Sequence, residues 1–119
     1  MHHIKQMTRK NLLTSTPPYP GEQMLRRLGS DLRTARLRRN LTIQQTAEKI
    51  GAGPRAISDA ERGKPSTSAA VYVALLWAYN LLDQMEDVAD PALDEERLSL
   101  SMSRERARGK AKKGLDSDF

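Results

Sequence analysis

No cysteine occurs among the 119 residues, and the only two histidines, His2 and His3, stand at the N-terminus. Disulfides and thiolate metal sites are thereby excluded, and neither a zinc site nor histidine-based catalysis is expected. Aromatic residues are scarce: one Trp, one Phe and three Tyr. A chain of this length that is 38% hydrophobic holds one domain with a small aliphatic core, which favours packed helices over a sandwich. Long apolar runs are missing too. The longest, around Ala69–Ala78, is about half of what crossing a bilayer requires, and the N-terminus lacks an apolar signal core. The expectation is a cytoplasmic protein with no membrane partner and, without a close carboxylate pair in a catalytic setting, no enzyme and no cofactor.

What is present is charge, unevenly placed. The net charge is +5, yet residues 24–64 carry ten Lys or Arg against four acids, whereas residues 65–94 carry five acids and no Lys or Arg. A basic half joined to an acidic half predicts two partners, a polyanion for the first and something basic, or the protein itself, for the second.

Apolar spacing divides the chain into an N-terminal arm (1–23), a helical domain (24–90) and a basic tail (91–119). Pro17, Pro18 and Pro20 set the arm apart. Leu25, Leu28, Leu32, Ala35 and Leu37 then recur at three- and four-residue steps and predict an amphipathic helix from Met24 to about Asn40. Thr42 and Gln45 have the spacing of a capping box at the start of a second helix, and Gly51 suits its end. Pro54 opens a third helix that runs to about Arg62, where Gly63 stops it. A fourth spans roughly Thr67–Asn80, with Ala70, Val71, Ala74, Leu75 and Ala78 on one stripe; Trp77 and Tyr79 are read as core or dimer-facing rather than stacked on nucleic acid, and the core is the expectation. A short fifth runs from Leu82 to about Ala89, with Pro91 as its stop. Beyond it, Leu98, Leu100 and Met102 alternate as a short strand would if paired, and otherwise the tail is expected to be disordered.

The stretch TIQQTAEKIGAGPRAISDAERGK, residues 42–64, has the demands of two short helices crossing at a sharp angle. Ala47, Ile50, Gly51, Ile57 and Ala60 supply the contact and the bend. Pro54, Arg55, Ser58, Asp59 and Arg62 are left facing outward, a polar surface of the width of a major groove.

Residues 28–81 resemble the Xre/Cro-type helix-turn-helix family through LGSDLRTARLRRNLTIQQTAEKIGAGPRAISDAERGK, which implies an all-α, five-helix, lambda repressor-like domain. The resemblance also implies that Arg36 pairs with Glu61, a structural pair whose loss costs stability more than base specificity. Ile43 stands where the family has a phosphate-touching Gln, which moves that contact to Gln44. Arg55 is the first candidate for base readout, since a guanidinium donates two hydrogen bonds to guanine O6 and N7. Pro54 either touches a thymine methyl or only starts its helix; Asp59 either accepts from a cytosine amine or pairs with Arg55 or Arg62; Ser58, on the same face, is a further base-reading candidate. Arg33, Arg38, Arg39, Arg62 and Lys64 are phosphate candidates, each also readable as part of a solvated helix face.

The segment VYVALLWAYNLLDQMEDVADP and the basic tail ending in LDSDF look most like HipB-like antitoxins. That resemblance implies a homodimer on an inverted-repeat operator, near the nucleoid, that also neutralises a HipA-like kinase toxin as part of a type II toxin–antitoxin module. A stand-alone Xre-type regulator, of phage origin or a restriction controller, and a protein-interaction module are the other readings. In the tail, ERARGKAKKG is either a phosphate-clinging extension or a solvated run, and Phe119 is a candidate for insertion into a partner's pocket.

Overall fold

The computed structural model describes the backbone of residues 12–117 and the side chains of residues 12–111; His2, His3 and Phe119 lie outside these residues. The described residues contain five α-helices of eight residues or more: α1 (Tyr19–Arg38), α2 (Ile43–Ile50), α3 (Pro54–Glu61), α4 (Ala69–Ala78) and α5 (Pro91–Ser117). A 3-10 helix, Leu82–Asp87, takes the place of the fifth helix expected there. No described helix is long and apolar enough to cross a membrane. The chain divides into two units between Leu82 and Asp83, ahead of the boundary at residue 90 read from the sequence.

In the first unit α3 is the hub, packing against α1, α2 and α4, while α2 also packs against α4. Leu32 of α1, Ala47 of α2, Ile57 and Ala60 of α3, and Leu75 with Tyr79 at α4 are almost completely buried. The local signals that shape this unit act as their chemistry requires. Thr42 Oγ1 accepts from the Gln45 N–H at 3.0 Å and Gln45 Oε1 accepts from the Thr42 N–H at 2.9 Å, so α2 opens on a complete capping box. Gly51 closes α2 at φ 73°, and the Ala52 N–H donates back to the Ala47 carbonyl at 3.0 Å. Pro54 begins α3 after Gly53 in an extended conformation.

Three expectations need correction. The helix α1 begins at Tyr19, not Met24, because Pro20 falls in the first helical turn, where a missing N–H costs nothing. The segment from Pro91 is neither a strand nor a disordered tail but the helix α5. Pro91 starts it rather than stopping the one before: Asp90 Oδ1 accepts from the Ala92 N–H at 2.9 Å, the bond of an N-cap. Trp77, expected in the core, is 55% exposed, and Val73 one turn before it is 39% exposed. The inner face of α4 is Tyr72, Leu75, Leu76 and Ala78. An uncharged helix that is apolar on every side carries no periodic signal for which side turns inward.

One close approach was not visible in the helical spacing. A Cβ on Gly29, in the middle of α1, would fall on the carbonyl oxygens of Ala60 and Glu61, the latter at 2.7 Å. Gly63, at φ 67°, meets the same face of α1, where a Cβ on it would lie 2.6 Å from the Arg26 Cα. The α1 backbone and the end of α3 therefore touch directly.

Candidate nucleic-acid interface

Burying Ile57 and Ala60 turns the opposite face of α3 outward, as the 3.6-residue repeat demands. Pro54, Arg55, Ser58 and Arg62 line one open groove with Arg33 and Ser30 of α1, and Ile43 also borders it. Arg33 and Arg55 form no ion pair among the described residues and are exposed. Gln44 borders an adjoining depression with Ile43 and Pro54, and its amide reaches Glu48 only at 3.4 Å. Four of the sequence-derived candidates thus share the groove with Arg33, and Gln44 lies beside it. Ser30 was missed. Its signal was available, since it precedes Arg33 by one helical turn on α1.

Asp59 does not present a free carboxylate. Its Oδ1 accepts from Arg62 Nη2 at 2.7 Å, and Oδ2 lies 3.9 Å from Lys64 Nζ. The hydrogen bond from Arg62, with the charges of Lys64 and Arg55 nearby, holds the Asp59 carboxyl below the usual carboxylate range. Of the two alternatives read from the sequence, the structure places Asp59 in the ion pair with Arg62.

The Arg39 guanidinium is used within the protein. It donates to the Ala35 carbonyl at 2.9 Å and to the Tyr79 carbonyl at 2.7 Å, and stands 5.4 Å from the centroid of the Tyr79 ring. This ties the end of α1 to the end of α4 and does not fit a phosphate contact. Arg38, on the same last turn of α1, is exposed and borders neither depression.

Glu61 also lines the groove, and it is held in the pair with Arg36 that the family resemblance implies. Arg36 Nε donates to Glu61 Oε2 at 2.7 Å, Nη2 donates to Oε1 at 3.1 Å, and Nη1 donates to the Leu41 carbonyl at 2.8 Å. The two side chains are 9% and 7% exposed. Hydrogen bonding to Glu61 raises the Arg36 pKa, outweighing the opposite effect of burial. The pair joins α1, α3 and the turn before α2 in one network.

The chemistry available in this groove is that of hydrogen-bond donors and positive charge along the exposed face of α3, a surface suited to phosphates and base edges. No protein of the curated set and no solved structure matches the chain. A model of the helix-turn-helix domain family matches residues 27–89, more than half of the chain and all of α1 from Arg27 through α4. With its two short helices joined at Gly51 and its second helix turned outward, the chain belongs to the helix-turn-helix family, as an Xre-like member.

Proposed function

We propose that this protein is a sequence-specific transcriptional repressor that binds an inverted-repeat operator as a homodimer and, as the antitoxin of a type II module, neutralises a HipA-like kinase toxin in the cytoplasm. The observation that carries the DNA reading is that Arg33 and Arg55, neither of them in an ion pair among the described residues, line one groove together with Ser58 and Arg62. Arg55 and Ser58 read base edges; Pro54 starts α3. Arg33, Arg38, Arg62, Lys64 and Gln44 hold phosphates. Asp59 orients Arg62 and Lys64 rather than accepting from a base.

A single helix-turn-helix reads only a few base pairs, so a dimer is needed for useful affinity. Its surface is the outer face of α4, Val73 and Trp77. Residues 65–82 contain no charged side chain, so two copies meet there without like-charge repulsion. The kinase partner rests on the resemblance of the 71–91 segment and the tail to HipB-like antitoxins.

The test of DNA readout uses an operator selected from random-sequence duplexes. Arg55→Ala is expected to weaken binding to it by about 1–3 kcal/mol while affinity for random duplex stays nearly constant. Equal losses on both would remove Arg55 from base reading. The toxin partner is tested by affinity capture from the native host with and without nuclease. A stoichiometric kinase-like protein that survives nuclease supports the antitoxin role, and recovery of DNA alone leaves a stand-alone regulator.

A further inference from the structure

The C-terminal half of α5 carries a second cationic surface, distinct from the residues that line the α3 groove. Residues 104–113, RERARGKAKK, hold six Lys or Arg and one acid, whereas residues 83–96 hold seven acids and no Lys or Arg. Arg104, Arg106, Arg108 and Lys110 are exposed, and none of them forms an ion pair or side-chain hydrogen bond among the described residues.

The helical backbone sorts these cations. At about 3.6 residues per turn, Arg104 and Arg108 share one stripe, Arg106 and Lys110 share another about 200° around, and Ala107 and Ala111 form the strip between them. Cations thus flank both sides of a line of methyl groups. Such a helix can lie along a duplex groove with each stripe reaching phosphates of one strand, and its alanines offer no donor or acceptor with which to choose a base. Like charges at i,i+4, as at Arg104/Arg108 and Arg106/Lys110, disfavour a helix in water, and phosphate neutralisation removes that repulsion. A membrane surface fits poorly, because residues 104–113 have no large apolar side chain to insert.

We infer that Arg104, Arg106, Arg108 and Lys110 of α5 form a second, sequence-independent binding site for the phosphates of double-stranded DNA. The inference rests on the DNA-binding reading of the chain and adds a contact that raises affinity on any sequence alike. The acidic segment 83–96 is repelled by the same polyanion, so the contact is confined to the C-terminal half of the helix.

The test compares the full chain with the variant Arg104→Gln, Arg106→Gln, Arg108→Gln, Lys110→Gln, titrated with a short random-sequence duplex at several salt concentrations. Glutamine keeps the helix propensity, and none of the described side chains of α5 is buried. The slope of log affinity against log salt is expected to lose about 3–4 in magnitude, and affinity for selected and random duplexes to fall by the same factor. Arg104→Lys, Arg106→Lys and Arg108→Lys together are expected to keep the original slope. An unchanged slope in the glutamine variant, with Arg55→Ala still losing site preference, overturns this inference alone. A reduced slope with no effect of Arg55→Ala sustains it and overturns base reading by α3. Absence of duplex binding by the unaltered chain overturns both, and charge-dependent binding to polyglutamate without binding to duplex assigns the surface to an acidic protein instead.

Discussion

At the scale of single residues, burial separates side chains that hold the protein together from those offered outward. Glu61 and Arg36 are both charged, yet the pair is almost closed to solvent and Arg36 spends its third contact on the Leu41 carbonyl. Glu61→Ala leaves that guanidinium buried without its partner, and urea unfolding is expected to show a loss of about 3–5 kcal/mol. A loss within the range of a surface charge change would mean that the network can relax around the vacancy. Asp59 predicts the opposite kind of effect. Its carboxylate restrains Arg62 and Lys64, so Asp59→Asn is expected to tighten binding to random duplex several-fold and to steepen its salt dependence. Because the Asp59 pKa is lowered on folding, the pair adds stability above about pH 4, and this contribution disappears as pH falls through the lowered value. Unfolding curves of the unaltered chain and of Asp59→Asn are therefore expected to differ at neutral pH and to converge in acid.

At the scale of elements, the capping box of α2, the left-handed Gly51 and the proline at the start of α3 were all legible in the sequence. Each is a short-range device, complete within four residues. The start of α5 was equally local but was read in the wrong direction: Asp-Pro ends a preceding helix and also supplies the N-cap and first position of a new one. Contacts between elements were harder to read. Gly29 looks like a weak point in α1, since Gly in a helix interior is about 1 kcal/mol less favourable than Ala. Its position against the Ala60 and Glu61 carbonyls reverses that expectation. Gly29→Ala is expected to lower the unfolding free energy by about 1–3 kcal/mol, as measured in urea, because two backbones must separate to admit one methyl group. A gain in stability would show that α1 and α3 do not meet so closely in solution.

At the scale of the whole molecule, the exposed Val73 and Trp77 are predicted to set the assembly on DNA. With Trp77→Glu, sedimentation with the selected duplex is expected to show one chain bound where the unaltered protein shows two. Apparent affinity is expected to fall at least about tenfold, from the lost burial of one large side chain per copy. Two variant chains still bound cooperatively would place the dimer surface elsewhere. The sequence by itself determined the all-helical class, the helix-turn-helix and the outward Arg55, because these follow from apolar periodicity and from capping signals that need only a few neighbouring residues. It also marked Arg36 and Glu61 through family resemblance, though not the Leu41 carbonyl that completes their network. Only the tertiary structure decided that Arg39 belongs to Tyr79, that Trp77 faces outward and that Gly29 admits the end of α3. Those outcomes depend on which side of one helix meets which side of another across the core. Along a uniformly apolar α4, or among arginines that encircle α1, the order of residues does not encode that choice locally; packing makes it.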